Sequence, residues 1–280
     1  MKKLISHPLT GLWFAGLLGL ALLWGPSASL AVETKNAASA QDQNEKDLAA
    51  LKKAAEAGQV EAQFKLGRSY YIGQDSARNL AEAAKWYRLA AERGHLEAQK
   101  RLGDMLQLGL GTPMDEAEAL KWLLLAAEGG LVAAYVEVGR AYDYGHGAPK
   151  NPAEAFKWFL KAAENGNAFA QTKVGDGYAK GEGVTQNLTE AFNWYLQAAE
   201  NGSDRGQFQV GWAYEKGLGV PPDPVKAREW YQTAAENDNK EAWYALARAY
   251  ETGLGGPVNK SEALNLYRQL ADYYHGSALK

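Results

Sequence analysis

The sequence predicts an all-α protein, a solenoid of six 36-residue helix-turn-helix repeats behind a half-repeat cap. Three observations carry this. The stretch WYRLAAERGH, which opens at Trp86, returns as WLLLAAEGGL, WFLKAAENGN, WYLQAAENGS and WYQTAAENDN, each 36 residues after the last. A fixed period in this range marks stacked supersecondary units. Within each period, apolar residues recur at helical spacing in two separate segments. Punctuation between those segments also repeats, with a glycine closing the first in every copy and the second in most, and an Asn or Asp opening the second.

Residues 1–31 have the form of an export signal: a basic MKK start, an uncharged apolar run from Leu9 to Trp24, and Ser29 and Ala31 ahead of Val32. Small residues in those two places mark a cleavage site. The run is somewhat shorter than the roughly 20 residues of a spanning helix. Cleavage before Val32 is therefore expected, with an uncleaved membrane anchor as the alternative. The expected location is outside the cytoplasm, periplasmic or secreted, and the short start fits a bacterial signal. Residues 32–46 are polar and carry too little apolar surface to offset ordering, so they read as a disordered linker. Residues 47–60 fit the second-helix register one period early, with Ala54, Ala55, Glu56 and Gly58 matching Ala90, Ala91, Glu92 and Gly94. They read as a capping helix.

The six copies run 61–96, 97–132, 133–168, 169–204, 205–240 and 241–276, leaving 277–280 as a tail. The first helix of copy one buries Ala62, Leu66 and Tyr70 on one face and stops at Gly73, a slot filled by glycine in every copy. The second helix starts at Asn79, and Asp115, Asn151, Asn187, Asp223 and Asn259 occupy the same slot as N-caps. Glu82, Glu118, Glu154, Glu190 and Glu262 stand three residues on, in capping-box position, with Lys226 in copy five. Pro152 and Pro224 follow their caps directly, where proline is tolerated. Ala83, Trp86 and Ala90 share a face. Trp158, in the tryptophan slot, is expected to be buried between copies three and four. Gly94 closes the helix, and Asp238 holds that slot in copy five, where the left-handed conformation suits it less well.

The recurring Leu-Gly-x-x-Tyr, Gly-x-Gly, Glu-Ala-x-x-Trp-Tyr and Ala-Ala-Glu-x-Gly resemble the Sel-one-like repeat family, relatives of the tetratricopeptide repeats. The resemblance covers residues 61 to about 276. It implies a right-handed α-α superhelix and a non-catalytic scaffold for protein or peptide partners. Copy one departs with Asp75 for the second loop glycine, and copy six with Ala247 for Gly and Leu266 for Trp.

Composition excludes several chemistries. The chain of 280 residues has a net charge of −3, no basic run and no cysteine. Nucleic acid is therefore not an expected partner. Disulfides, thiolate metal sites and a cysteine nucleophile are ruled out. His7 lies in the signal segment, and His95, His146 and His275 lie far apart in an extended stack, so no metal or catalytic cluster is expected. The Gly-x-Gly of GLGVPPDP follows a helix rather than a strand, which removes a dinucleotide fingerprint. Asn187, Asn201 and Asn259 spell glycosylation sequons but serve as caps or stop signals. No catalytic residue, cofactor or metal is assigned. Relatives rich in cysteine have been linked to β-lactam hydrolysis; here the one Ser-x-x-Lys spelling, Ser277 to Lys280, lies at the extreme C-terminus.

Function is expected where copies differ. With Leu66 centring the buried face, positions 64, 68 and 71 fall opposite, on the face that lines the concave groove in relatives. Across the copies those slots supply Phe64, Arg68, Tyr71, Arg140, Phe208, Trp212, Tyr244 and Arg248 as candidate partner-binding residues. Aromatic residues and arginine dominate binding hot spots. Phe208 and Trp212, one turn apart, with Tyr244 and Arg248 on the next copy, form the main patch. Alternatives are packing of Trp212 into the core, a polysaccharide ligand for the same aromatics, and a binding surface on the loops or at the incompletely covered end around Tyr267 and Tyr273.

Overall fold

The computed structural model describes residue 43, residues 45–73 and residues 77–277, with side chains to 274. The signal segment, most of the linker, Asp75, and the last three residues of the tail lie outside these. Among the described residues there are thirteen helices and no strand. Residues 45–56 form α1, and the chain divides into two compact units after Lys53. The second unit continues through α2 (Val60–Ile72), α3 (Leu80–Ala91), α4 (Leu96–Leu108), α5 (Glu116–Glu128), α6 (Val132–Tyr144) and α7 (Pro152–Glu164). It ends with α8 (Ala168–Lys180), α9 (Leu188–Glu200), α10 (Asp204–Lys216), α11 (Pro224–Glu236), α12 (Lys240–Thr252) and α13 (Lys260–Ser277). From α2 to α13 consecutive helices pack chiefly on one another, which is the contact pattern of an all-α solenoid.

The boundaries follow from the caps. The side chains of Asn79, Asp115, Asn151, Asn187 and Asp223 each accept a backbone N–H from the first turn of the helix they open. Asn259 does the same for Glu262 at 3.1 Å. The reciprocal half of the expected capping box is absent. The backbone N–H of Asn79 donates to Tyr70 O at 2.9 Å, and that of Asp115 to Leu106 O at 3.0 Å. These bonds tie the cap to the helix before it, so the glutamate has no N–H left to accept. Glu82 and Glu118 instead accept from the indole Nε1 of Trp86 and Trp122 at 3.2 and 3.1 Å.

The core is a string of small clusters along the stack rather than one mass. α7 and α8 meet through Phe159, Ala162, Ala170 and Val174, and α11 and α12 through Tyr231, Ala234, Ala242 and Leu246. Trp158 is 5% exposed, as a core residue should be, but it belongs to the cluster of copies two and three, with Leu123, Ala127 and Val138. Phe159, one position on, faces copy four. A helix turns about 100° per residue, so neighbouring side chains serve opposite seams. The deepest aromatic slot is thus the one after tryptophan: Tyr87 is 1% and Tyr231 0% exposed. The seams are stitched by one polar bond in most copies. Gln63, Gln99, Gln171 and Gln207 donate Nε2 to the carbonyls of Ala55, Ala91, Ala163 and Ala199, at 3.1 to 3.4 Å. In copy six Trp243 Nε1 makes the equivalent bond to Ala235 O at 2.6 Å.

Candidate partner-binding groove

The even-numbered helices carry the variable slots. On α10, Val210 and Gly211 are buried against α11, which turns Phe208 and Trp212 toward the far side, each half-buried. On α12, Ala245 and Leu246 take the core and leave Tyr244 54% exposed. Phe208, Trp212, Tyr244 and Arg248 line a single depression of about 610 Å³. The structure thus brings together the four residues of the predicted patch. Its far wall comes from α13, through Tyr267, Leu270 and Tyr274, and Lys240 and Glu241 stand on the first turn of α12. Sequence reasoning missed Tyr274 in this role, although a signal existed. Tyr274 occupies the slot that in earlier copies holds the stop glycine or Asp238. Without that stop α13 runs on to Ser277 and carries the ring to the pocket.

Trp212 is both wall and core. It packs partly on the cluster around Tyr231, and Lys216 Nζ sits 4.8 Å from its ring centroid. Phe208 lies 5.8 Å from the Tyr231 ring, and Tyr244 lies 6.0 Å from Tyr267. A part-buried polar network adjoins the rings. Tyr231 Oη donates to Glu215 Oε2 at 2.7 Å, and Lys216 Nζ to Glu215 Oε1 at 2.6 Å. Burial opposes ionisation of Glu215, yet these donors outweigh it and hold the carboxyl below the usual range. Burial, together with the Glu215 charge, pushes the Tyr231 phenol well above its ordinary value. The phenol therefore stays protonated and keeps its donor role. One copy earlier the same logic recurs with a different slot: Tyr195 Oη donates to Asp176 at 2.9 Å, and Arg205 donates to it at 2.7 Å. Phe208 and Glu241 also border a second depression of about 700 Å³ with Phe169, Lys173 and Asp176, so one concave face continues across copies four to six.

The other four candidates do not join this pocket. Phe64 stacks on His95 at 4.3 Å and tilts on Tyr87 at 5.7 Å, sealing the seam of copies one and two. Arg68 is exposed and Tyr71 half-buried, the latter beside Lys100 and Asp104 in a separate depression. Arg140 lies over the Phe169 ring at 4.6 Å and 3.7 Å from Glu137. The period itself explains the separation: each copy is displaced along the stack, so slots in copies one and five cannot converge. His95 and His146 have structural partners. His95 Nδ1 caps α4 by accepting from Ala98 N at 3.2 Å, and His146 pairs with Glu116 at 3.0 Å. Among the described residues, no three His, Cys, Asp or Glu side chains converge as metal ligands. No helix among them is long and apolar enough to cross a membrane; the Leu9–Trp24 run lies outside them.

The family model of the Sel1 repeat matches residues 60–95, 96–131, 132–167, 168–203, 204–239 and 241–272. No curated protein matches the chain. Among solved structures the chain is similar to c5321, described as a protective antigen present in uropathogenic Escherichia coli strains displaying an SLR fold. That match has 36% identity and a TM-score of 0.74, and covers 81% of this chain and 48% of the antigen. The chain therefore spans about half the antigen's length. It is also similar to a Sel1 repeat protein from Oxalobacter formigenes, at 32% identity and a TM-score of 0.64, covering 76% of this chain and 85% of that one.

Proposed function

The chain belongs to the Sel1 repeat family, whose members are generally non-catalytic protein-interaction scaffolds, and from that premise we propose an exported scaffold that binds a protein or peptide partner in the groove of α10, α12 and α13. It serves as an adaptor or regulator in the cell envelope. One observation carries the reading: Phe208, Trp212, Tyr244 and Arg248, none demanded by the 36-residue grammar, line one concavity. Rigid aromatic surface with few rotamers to freeze is well suited to anchoring a partner. Export rests on the N-terminal pattern of Leu9–Trp24 and Ser29-Leu30-Ala31.

Aromatic faces also stack on sugar rings, and the 54% exposure of Tyr244 favours a cell-wall polysaccharide as the second reading. Capture on the immobilised mature chain, from Val32 onward, separates the two. The scaffold reading expects protein retained by the native chain and lost from Trp212→Ala; retention of glycan alone transfers the site to the second reading. N-terminal sequencing of the exported form should begin at or near Val32. An intact Met1-bearing chain in the membrane fraction would establish the anchor instead.

A further inference from the structure

The charges around the aromatic pocket are not equivalent. Most are already spent. Glu215 accepts from Lys216 and Tyr231, and Lys240 Nζ sits 3.2 Å from Asp238 Oδ1 and 3.9 Å from the Trp243 ring centroid. Two are not. The Arg248 guanidinium is 42% exposed, its ion-pair partner Glu215 stands 3.8 Å away, and among the described residues the guanidinium makes no hydrogen bond. Glu241 is exposed and has no ion-pair partner among them. The two lie seven residues apart on α12, about 10 Å along the helix. The aromatic rings lie in the same depression as both charges. The pocket is therefore polarised, with a loosely paired cation toward one end and an anion without an ion pair among the described residues toward the other.

Guanidinium carries a planar fork of donors that matches a carboxylate in two parallel bonds. Glu215 cannot supply that match, because Lys216 and the Tyr231 hydroxyl already hold its oxygens. We propose, resting on the partner-groove reading, that the pocket takes a peptide segment in which a bulky apolar side chain adjoins a carboxylate. The apolar side chain enters between Trp212, Tyr244 and Tyr267, and the carboxylate pairs with Arg248. Glu241 repels a carboxylate from the opposite end and so fixes the direction in which the peptide lies. A segment with its acid on the wrong side of the anchor meets Glu241 instead of Arg248.

The probe is an array of equal-length peptides on a Gly-Ser background, each with a central Phe or Leu flanked by Asp, Asn or Lys. The mature chain is the binder. It should favour Asp over Asn by roughly tenfold or more, the worth of one charge-assisted pair, and reject Lys. Arg248→Gln should flatten that preference, Arg248→Lys should keep part of it, and Arg248→Glu should reverse it toward Lys, all with unchanged helical circular dichroism. If Arg248→Glu fails to fold, the flattening in Arg248→Gln decides. Binding indifferent to the flanking charge, an Asp preference surviving in Arg248→Gln, or no binding to any peptide overturns the proposal. The groove reading fails on a different result, a Trp212→Ala chain that still retains the native partner.

Discussion

Asp238 is the one described residue other than glycine with positive φ, 65°, in the slot where Gly94, Gly130, Gly166 and Gly202 turn their helices off. A side chain in the left-handed region costs about 1–2 kcal/mol, less for Asp than for most. Its ion pair with Lys240 offsets little, because the Asp238 side chain is 84% exposed. Asp238→Gly should therefore stabilise the fold by about 0.5–1 kcal/mol, after the entropy glycine adds to the unfolded chain. The check is the urea midpoint, which should rise with the slope unchanged. Gly211 makes the opposite case. A Cβ there would stand 2.7 Å from Tyr231 Cδ1, and that ring is held by its bond to Glu215. Gly211→Ala should cost about 1–3 kcal/mol through overpacking. Copy six puts Ala247 in that slot and leaves Tyr267 half-buried at the pocket wall rather than sealed in the core. The stop slot was legible in the sequence because the left-handed requirement is local. The role of the Gly211 slot was not, because it depends on a ring twenty residues away.

At the scale of the element, the cap residues set every second-helix start, and their backbone bonds to the preceding helix make each repeat one unit. The N-caps were legible because a cap and its first turn are neighbours in sequence. The use of the glutamates was not: Glu82 and Glu118 could spell a capping box, and only the cap's own N–H, committed to the helix before it, decides against it. The seam assignment failed in the same way. Periodicity gives the buried face of a helix but not which neighbour covers each half of it, so Trp158 proved to face copy two and Phe159 copy four. The burial itself holds. Trp158→Ala should cost about 3–5 kcal/mol, whereas Lys157→Ala, with its side chain 63% exposed, should move the urea midpoint little. Equal shifts in the two variants would mean the second-helix face is wrongly drawn.

Over the whole molecule, residues divide by whether the period demands them. Those that return every 36 positions build seams, caps and stops, and the succession of six repeats was legible for that reason. Those that vary are free to bind, and here half the candidates gathered in one pocket while Phe64, Arg68, Tyr71 and Arg140 dispersed along the stack. Sequence spacing placed all eight on one face of their helices, but distance along a solenoid grows with repeat number, so only neighbouring copies can cooperate. The third wall, from α13, came from a broken rule at Tyr274, visible only when an absent stop is counted as information. The division between fold and function is tested most directly at Trp212, which both classes touch. Titration of the captured partner against native and Trp212→Ala chains should show affinity falling about 30-fold or more, the loss typical of an aromatic anchor. Helical circular dichroism and most of the thermal stability should remain. Unchanged affinity in a folded variant, or collapse of the array, would contradict the account.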